Sequence, residues 1–544
     1  MLQLATIFQD GMILQREKPV TVWGTGTPGA TVTAEIQGKC AGVITDEQGK
    51  WRVVLPALSA SEEEQLVIGS GEETIICRDV AVGEVWVAGG QSNMEFHMRY
   101  EKHLKEALKA CPNRRVRFFD VPEVCYEGQM EEFDYSRQNI WRCATAEDLE
   151  YFSAVGYYFE KAICDALNVP VGILGCNWGG TIAAAWMNPE TVKKCGLPWM
   201  LDYEKRLSEM DVDVYWKKQH HNPMNDRGNL FADPFTEYFM PRTPSEEEIR
   251  EFFTHTPDGL SDYLEMMQPQ EIPGSLYEHM LKTIAPYAIR GFLWYQGESD
   301  DVPGKNILYK DMLTGLIGDW RELWKGADIP FLLVQLPGYD RWLLETEENH
   351  YPIIRECQEQ VADTVNNVYL CSISDVGEEK DIHPKNKKTV GERLALLARG
   401  HVYSAEAGSE ELLCDAPRAI SAERNEDEIT LTFCYAGDGL RIAGDSIDAL
   451  KLYNDAGKEL PYVFRAEGDR LVLRLAEAEA HLGSSTERDA EVEMISQLNG
   501  DAEKSACATV TPERIQIKFA QTPWFLVNVY NSAGIPAVPF EFVC

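Results

Sequence analysis

The stretch Val85-Trp86-Val87-Ala88-Gly89-Gly90-Gln91-Ser92-Asn93-Met94 is an apolar run that stops at two glycines and is followed by a serine. An apolar run of this length predicts a buried β-strand. Because glycine adopts a positive φ without steric cost, Gly89 and Gly90 permit a tight turn that lifts Ser92 out of the sheet edge toward solvent. Most serines after glycines are ordinary turn residues, so the turn alone makes Ser92 only a candidate nucleophile.

Two later segments have the same pattern of an apolar run followed by polar residues. One is GFLWYQGESD at 291–300, and the other is CSISD at 371–375, which leads to KDIHP at 380–384. A serine, a glutamine and an Asp/His pair each follow the carboxyl end of a predicted strand, which is where open parallel sheets place their ligands. The sequence therefore predicts that these side chains share one site.

The segments GQSNM, WYQGES and DIHP resemble the motifs of the SGNH hydrolase superfamily, in particular its sialate O-acetylesterase branch of carbohydrate esterases. NWGGT at 177–181 and both ends of the chain, IFQDGMILQREKPVTVWGTGTPG and VNVYNSAGIPAVPF, resemble the same family. The resemblance implies an α/β fold with an SGNH-type parallel sheet flanked by helices. It also implies a serine esterase that removes O-acetyl groups from carbohydrates through an acyl-enzyme.

A chain of 544 residues is expected to form two or three domains, and the hydrophobic pattern predicts three. Residues 1–82 alternate apolar and polar positions and predict an N-terminal β-sandwich. Residues 83–405 alternate strands with helices, which predicts a catalytic domain with a parallel sheet. Within it, about 190–285 is rich in charge, proline and aromatic residues and predicts a helical insertion. Residues 406–544 predict a C-terminal β-rich domain, interrupted by an acidic stretch at 476–505.

The same periodicity places individual elements. It predicts a helix at 306–324 and strands at 31–36, 42–45, 51–56, 169–175, 289–295, 329–336, 368–374, 428–435, 449–454, 470–475 and 514–520.

The composition limits the partners of the protein. A formal net charge of -37 argues against nucleic acid and against anionic membrane surfaces as partners. The same charge repels an anionic sugar at long range, which weighs mildly against free sialate as substrate. The start of the chain lacks a signal-peptide pattern, and the fourteen cysteines show no CxxC spacing. We therefore expect a cytoplasmic protein with reduced thiols.

The resemblance assigns roles to three catalytic residues. Ser92 would attack the ester carbonyl, His383 would act as general base and acid, and Asp381 would orient the imidazole. The wider superfamily places its aspartate three residues before the histidine, where this chain has Lys380. Asp381 lies only two residues before His383, so Asp375, Glu378 or a backbone carbonyl remain alternatives for this role.

The resemblance also implies the donors of an oxyanion hole. These are the backbone N–H of Ser92, a backbone N–H of the NWGGT loop and the side-chain amide of Gln296, which replaces the asparagine of the wider superfamily. Gly179 is the first choice for the loop donor and Gly180 the second, because a residue without Cβ lets the backbone approach a substrate. Asn93, Glu298 and Arg355 are candidates for binding substrate or for supporting the pocket.

The predicted reaction requires no metal and no organic cofactor. A zinc site at His220, His221 and Asp226 is disfavoured, because adjacent histidines do not face one ligand point on a helix or strand. The predicted partner is an O-acetylated sugar or oligosaccharide, and the oligomeric state stays open. Two alternatives are an acetyl esterase for acetylated xylo- or manno-oligosaccharides and a non-catalytic carbohydrate-binding protein with the same fold.

Overall fold

The strand Glu73–Gly90 is central to the largest sheet in the computed structural model of this protein. The structure describes residues 1–222, 225–228, 234–254, 267–342, 349–406, 412–476 and 514–544. The parallel strands of this sheet are, in spatial order, Asn113–Asp120, Val171–Asn177, Glu73–Gly90, Gly291–Tyr295, Phe331–Val334 and Val368–Cys371. Trp141–Ala144 adds an antiparallel edge strand beside Asn113–Asp120.

The order of these strands creates a switch point at the end of Glu73–Gly90. The next two parallel strands along the chain, of which Val171–Asn177 is the neighbour, lie on one side of Glu73–Gly90. The later parallel strands, beginning with Gly291–Tyr295, lie on its other side. Ligands of open α/β sheets bind in the crevice at such a point, at the carboxyl ends of the strands. Ser92 follows Gly90 directly at this crevice.

Helices cover both faces of the sheet. Trp86 packs its ring against the helix Ala154–Leu167. Three residues further on, a Cβ at Gly89 would lie 2.5 Å from Trp320 of the helix Tyr309–Leu323. Because successive side chains of a strand point to opposite faces, the two helices flank the sheet on opposite sides. The predicted α/β class is therefore confirmed.

The helices of the described residues agree with the sequence pattern. The helix predicted at 306–324 is present as Tyr309–Leu323. None of the described helices has both the length and the apolar character needed to cross a lipid bilayer. The described helices of four residues or more, other than one π-helical turn, are Ser92–Glu95, Leu104–Ala107, Gln129–Glu132, Ala154–Leu167, Ala183–Trp186, Pro189–Cys195, Leu197–Glu209, Val212–Gln219, Pro234–Phe239, Glu246–Thr254, Tyr309–Leu323, Tyr351–Thr364 and Lys387–His401.

The N-terminal strands join the same large sheet. Ser61–Ser70 pairs with the first half of Glu73–Gly90, whose second half belongs to the parallel core, so the predicted boundary at 82/83 falls inside one continuous strand. Gln3–Leu4, Val20–Thr25 and Lys50–Leu55 form a separate three-stranded sheet. The other N-terminal strands are Ile13–Gln15, Thr31–Ile36 and Lys39–Ile44.

The chain divides into two compact units. The first is Met1–Asp415 with Thr522–Phe525, and the second is Ala416–Gln521 with Leu526–Cys544. The strands of the second unit are Arg418–Asn425, Glu428–Cys434, Arg441–Ile442, Leu450–Asn454, Tyr462–Glu467, Arg470–Leu475, Ile515–Phe519, Val529–Tyr530 and Phe540–Val543, and their pairings are antiparallel. The predicted acidic stretch at 476–505 lies outside the described residues from 477 onward.

Candidate active site

Gly90 makes the turn that presents Ser92. Its φ is 141°, and a Cβ at this position would lie 2.1 Å from the carbonyl oxygen of Tyr295, so a side chain does not fit here. Ser92 then begins the short helix Ser92–Glu95. The predicted positive φ is confirmed at Gly90. Ser92 is only 9% exposed, however, and therefore lies within a nearly closed site rather than free in solvent.

Ser92 and His383 are in direct contact. Nε2 of His383 lies 2.9 Å from Oγ of Ser92, and both residues are buried. Burial lowers the pKa of His383 well below its usual value, and the charges of Lys385 and Lys387 lower it further. The imidazole is therefore neutral near pH 7 and can accept a proton from the serine hydroxyl.

Asp381 contacts the backbone of His383 more closely than its ring. Oδ1 of Asp381 accepts a 2.8 Å hydrogen bond from the backbone N–H of His383 and lies 3.9 Å from ring Nδ1, which is too long for a hydrogen bond. Oδ2 accepts the hydroxyl of Thr243 at 2.6 Å and forms a 2.9 Å ion pair with Lys385. Nδ1 of His383 has no hydrogen-bond partner among the described residues.

The alternative carboxylates are engaged elsewhere. Asp375 binds Arg393 through two contacts of 2.6 and 2.9 Å, which occupy both carboxylate oxygens. Glu378 accepts the backbone N–H of Lys385 at 2.9 Å. Asp381 is therefore the carboxylate that the structure places beside His383.

The backbone N–H groups of Gly179 and Gly180, the two candidate oxyanion donors of the loop, differ in whether they already have an acceptor. A Cβ at Gly179 would lie 3.2 Å from Cβ of Ser92, so this glycine packs against the serine. Its backbone N–H, however, donates to the carboxylate of Glu95, which also pairs with Arg227 at 2.9 Å. Gly180 has a φ of 73° and faces open space. Neither its N–H nor that of Ser92 has an acceptor among the described residues.

Gln296 is buried, and its amide is fully used within the protein. Nε2 donates to the carbonyl oxygen of Thr181 at 3.1 Å and to Oδ2 of Asp300 at 2.6 Å, while Oε1 accepts the hydroxyl of Tyr309 at 2.9 Å. A primary amide has two N–H hydrogens, so none remains for an oxyanion. In this structure Gln296 joins the NWGGT loop to the WYQGES segment, and its predicted role as an oxyanion donor stays a prediction.

Asn93 and Glu298 form a buried network directly behind Ser92. Nδ2 of Asn93 donates to Oε1 of Glu298 at 2.6 Å and to the carbonyl oxygen of Ile382 at 2.9 Å. Oδ1 of Asn93 accepts a hydrogen bond from Lys387, whose side chain is wholly buried. Burial lowers the pKa of Lys387 to about 7 and raises that of Glu298. These contacts give Asn93 and Glu298 a supporting position between the serine turn and the histidine loop.

Arg355, a candidate for binding substrate, is engaged by backbone carbonyl groups of the protein. Its guanidinium donates to the backbone carbonyls of Pro337 at 3.2 Å and Thr522 at 2.7 Å, and it lies 4.7 Å from the ring centroid of Phe525. Burial lowers the pKa of Arg355 to about 9.

Two groups of potential metal ligands among the described residues contact other protein side chains. The ring of His220 contacts the carboxylate of Glu132. His401, Cys414 and Asp415 lie together, with Nε2 of His401 2.9 Å from Oδ1 of Asp415. Burial and the charge of Asp415 raise the pKa of the Cys414 thiol to about 12, which keeps it protonated. We therefore assign no metal to either group.

Sequence reasoning missed Lys387, Glu95 and Arg227. Glu95 is part of the same short helix as Ser92, but its partners come from residues 179 and 227. The only available signal was the position of Glu95 three residues after the candidate nucleophile. Lys387 opens a helix, where lysine is typical of a solvent-exposed face.

Several known carbohydrate esterases are similar to this chain. A family model for carbohydrate esterases, the sialic acid-specific acetylesterases, matches residues 261–398. Mouse sialate O-acetylesterase is 28% identical to this chain over 439 residues, which are 74% of this chain and 73% of the mouse protein. The chain is a relative of the sialate O-acetylesterases. The human protein of that name is 26% identical over 436 residues, covering 74% of this chain and 71% of the human protein.

A solved structure supports the fold of this sialate O-acetylesterase relative. The crystal structure of a carbohydrate acetylesterase from Xanthomonas citri superimposes with a TM-score of 0.71 at 24% identity, and the match covers 99% of both chains. The resemblance to the sialate O-acetylesterases that the motifs indicated is confirmed, and the chain is a carboxylic ester hydrolase, as the sequence predicted.

Proposed function

We propose that this chain is a serine esterase of the SGNH type that removes O-acetyl groups from carbohydrates, with an O-acetylated sialate as substrate. The observation that carries the proposal is the 2.9 Å contact between Oγ of Ser92 and Nε2 of His383. It lies at the carboxyl ends of parallel strands, where the fold places ligands. The names of the mouse and human relatives support the substrate class.

In the proposed reaction, Oγ of Ser92 attacks the acetyl carbonyl carbon while Nε2 of His383 takes the hydroxyl proton. The imidazolium then returns this proton to the sugar oxygen as the ester C–O bond breaks, and the acetyl group stays on Ser92. A water molecule, deprotonated by the same imidazole, attacks the acetyl-enzyme, and acetate leaves as the imidazolium returns the proton to Oγ of Ser92. Asp381, 3.9 Å from the ring and buried, stabilises the imidazolium by its charge.

The developing oxyanion requires donors that are not already engaged. We assign this role to the backbone N–H groups of Ser92 and Gly180, which have no acceptor among the described residues. Gly179 and Gln296 hold the loop in place instead, because their N–H groups are donated to Glu95 and to Thr181 and Asp300.

Acetate release tests the proposal. The wild-type protein would be assayed on O-acetylated N-acetylneuraminic acid, on acetylated xylo- and manno-oligosaccharides and on 4-nitrophenyl acetate. We expect turnover of the acetylated sialate, and a loss of about 10⁴-fold or more in Ser92→Ala. The exposed Ser136 supplies the matched control, Ser136→Ala, which should retain activity.

Each result has a distinct meaning. Turnover of only the neutral acetylated oligosaccharides would replace the sialate substrate by the xylo- or manno-oligosaccharide alternative. Binding of sugars without release of acetate from any ester would replace the esterase by a carbohydrate-binding protein.

A further inference from the structure

A cavity of about 370 Å³ adjoins the residues that flank Ser92. Gly180 lines it, and its neighbour Gly179 packs against Ser92, with a Cβ of Gly179 at 3.2 Å from Cβ of the serine. Ser299 also lines it, and Oγ of Ser299 accepts a 3.2 Å hydrogen bond from Gln91, the residue before Ser92. The volume lies within the range of about 300–1,000 Å³ that is typical of small-molecule sites.

The cavity combines an apolar wall with a charged rim. The apolar and aromatic residues of the wall are Ile182, Trp199, Tyr203, Met267, Pro273 and Val302. The charged residues of the rim are Asp202, Arg206, Glu271 and Lys305. Small-molecule sites share this composition, in which a few polar groups fix the orientation of the ligand. A sugar ring, with apolar C–H faces and polar edges, suits such a lining.

The two cations of the rim differ in their partners. Lys305 forms an ion pair with Asp202, and its Nζ lies 4.0 Å from the ring centroid of Trp199. Within the described part of the chain, Arg206 has no ion pair within 4.0 Å. Burial raises the pKa of Glu271, and the positive charge of Arg206 opposes that rise.

We propose that this cavity is the subsite for the sugar ring and that Arg206 is a specificity-determining residue, which binds the carboxylate of an acidic acetylated sugar. This inference rests on the proposed esterase function and names the substrate class of the same site. The guanidinium is suited to the task because it presents a planar pair of donors to a carboxylate.

A local cation is needed because of the overall charge. The formal net charge of -37 repels an anionic substrate, although salt screens this field within about 10 Å. Binding of an acidic sugar therefore depends on a positive group in contact with it. Arg206, an exposed residue that lines the cavity, supplies such a group.

The test compares Arg206→Gln with Lys205→Gln. Lys205 is the preceding residue of the same helix, is exposed and does not line the cavity. Each variant loses one positive charge, but only Arg206→Gln loses it from the lining of the cavity. The substrates are O-acetylated N-acetylneuraminic acid and its carboxyl methyl ester, in which a methyl group removes the negative charge. We expect Arg206→Gln to raise KM for the acid about tenfold relative to KM for the methyl ester, with little change in kcat. Arg206→Lys should recover part of this loss, and Lys205→Gln should leave the KM ratio unchanged.

An unchanged KM ratio in Arg206→Gln, or an equal change in Lys205→Gln, would overturn the inference while the esterase function stands. Wild-type enzyme that cleaves 4-nitrophenyl acetate but neither sugar ester would instead overturn the carbohydrate function on which the inference rests. Circular dichroism of both variants would confirm that they are folded.

Discussion

Oδ1 of Asp381 lies 2.8 Å from the backbone nitrogen of His383 but 3.9 Å from its ring Nδ1. The carboxylate thus fixes the loop that carries the imidazole, and it acts on the ring through its charge. Both side chains are at most 5% exposed, so solvent screens this interaction weakly.

Asp381→Asn tests this relationship. The amide keeps the shape of the side chain but removes the charge that stabilises the imidazolium, so we expect kcat to fall by about 10²- to 10⁴-fold. Glu379→Gln, which removes an exposed carboxylate two residues earlier, is the matched control. A loss of less than about tenfold in Asp381→Asn, beside an inactive His383→Ala, would reduce the site to a Ser-His dyad.

The pH dependence of kcat/KM reports on His383. Activity requires the neutral imidazole, and burial together with Lys385 and Lys387 lowers its pKa well below the usual value. Activity should therefore persist as the pH falls through 6.5 and disappear only at lower pH. Lys385→Met removes one of these cations, so the pKa of His383 should rise and the acid limb should move to higher pH.

Lys380→Met is the control for this shift, because Lys380 is exposed and does not perturb His383. Profiles between pH 4.5 and 8, with stability checked at each pH, would measure both variants. An acid limb near pH 6.5 in the wild type, or a limb that does not move in Lys385→Met, would contradict this account of the histidine.

Gln296→Ala distinguishes a supporting amide from an oxyanion donor. The substitution removes the buried hydrogen bonds of the Gln296 side chain with Asp300, Tyr309 and the carbonyl of Thr181, so the free energy of unfolding should fall by about 2–4 kcal/mol. Tyr309→Phe removes one of these hydrogen bonds and should cost about 1 kcal/mol. Urea denaturation measures both. Unchanged stability with a 100- to 1000-fold lower kcat would restore Gln296 as a donor.

Lys387 gives the stability of the fold a pH dependence. Its pKa is about 7 in the folded protein, whereas an unfolded chain has the usual 10.5, so the unfolded state binds more protons between these values. The wild type should therefore gain stability relative to Lys387→Met as the pH rises from 7 toward 10. Lys388→Met, at the next and more exposed position of the helix, should show no such difference. Parallel curves of unfolding free energy against pH for wild type and Lys387→Met would contradict a buried lysine with a lowered pKa.

Hydrophobic periodicity predicted five of the six parallel strands of the sheet but not Asn113–Asp120, which carries three arginines. The runs predicted at 289–295 and 368–374 appear as Gly291–Tyr295 and Val368–Cys371, because buried parallel strands are continuously apolar. The boundary at 82/83 fell inside a strand because one strand, Glu73–Gly90, changes partners partway along its length without any break in the sequence pattern.

The candidate site was predictable only where a motif adjoins a strand end. Ser92 and His383 follow such ends, and the structure brings them together. The hydrogen bond of Gln296 to Thr181 and the burial of Lys387 depend on partners remote in sequence, such as Asn93, which lies 294 residues from Lys387. No local pattern records these pairings, since they are set by the order of strands in the sheet.

Labelling with a fluorophosphonate, followed by mass spectrometry of peptides, tests most directly whether Ser92 is a nucleophile activated by His383. The account predicts a single adduct, located on Ser92, that is absent from Ser92→Ala and forms much more slowly in His383→Ala. An adduct on another serine, or deacetylation that persists in Ser92→Ala, would contradict it.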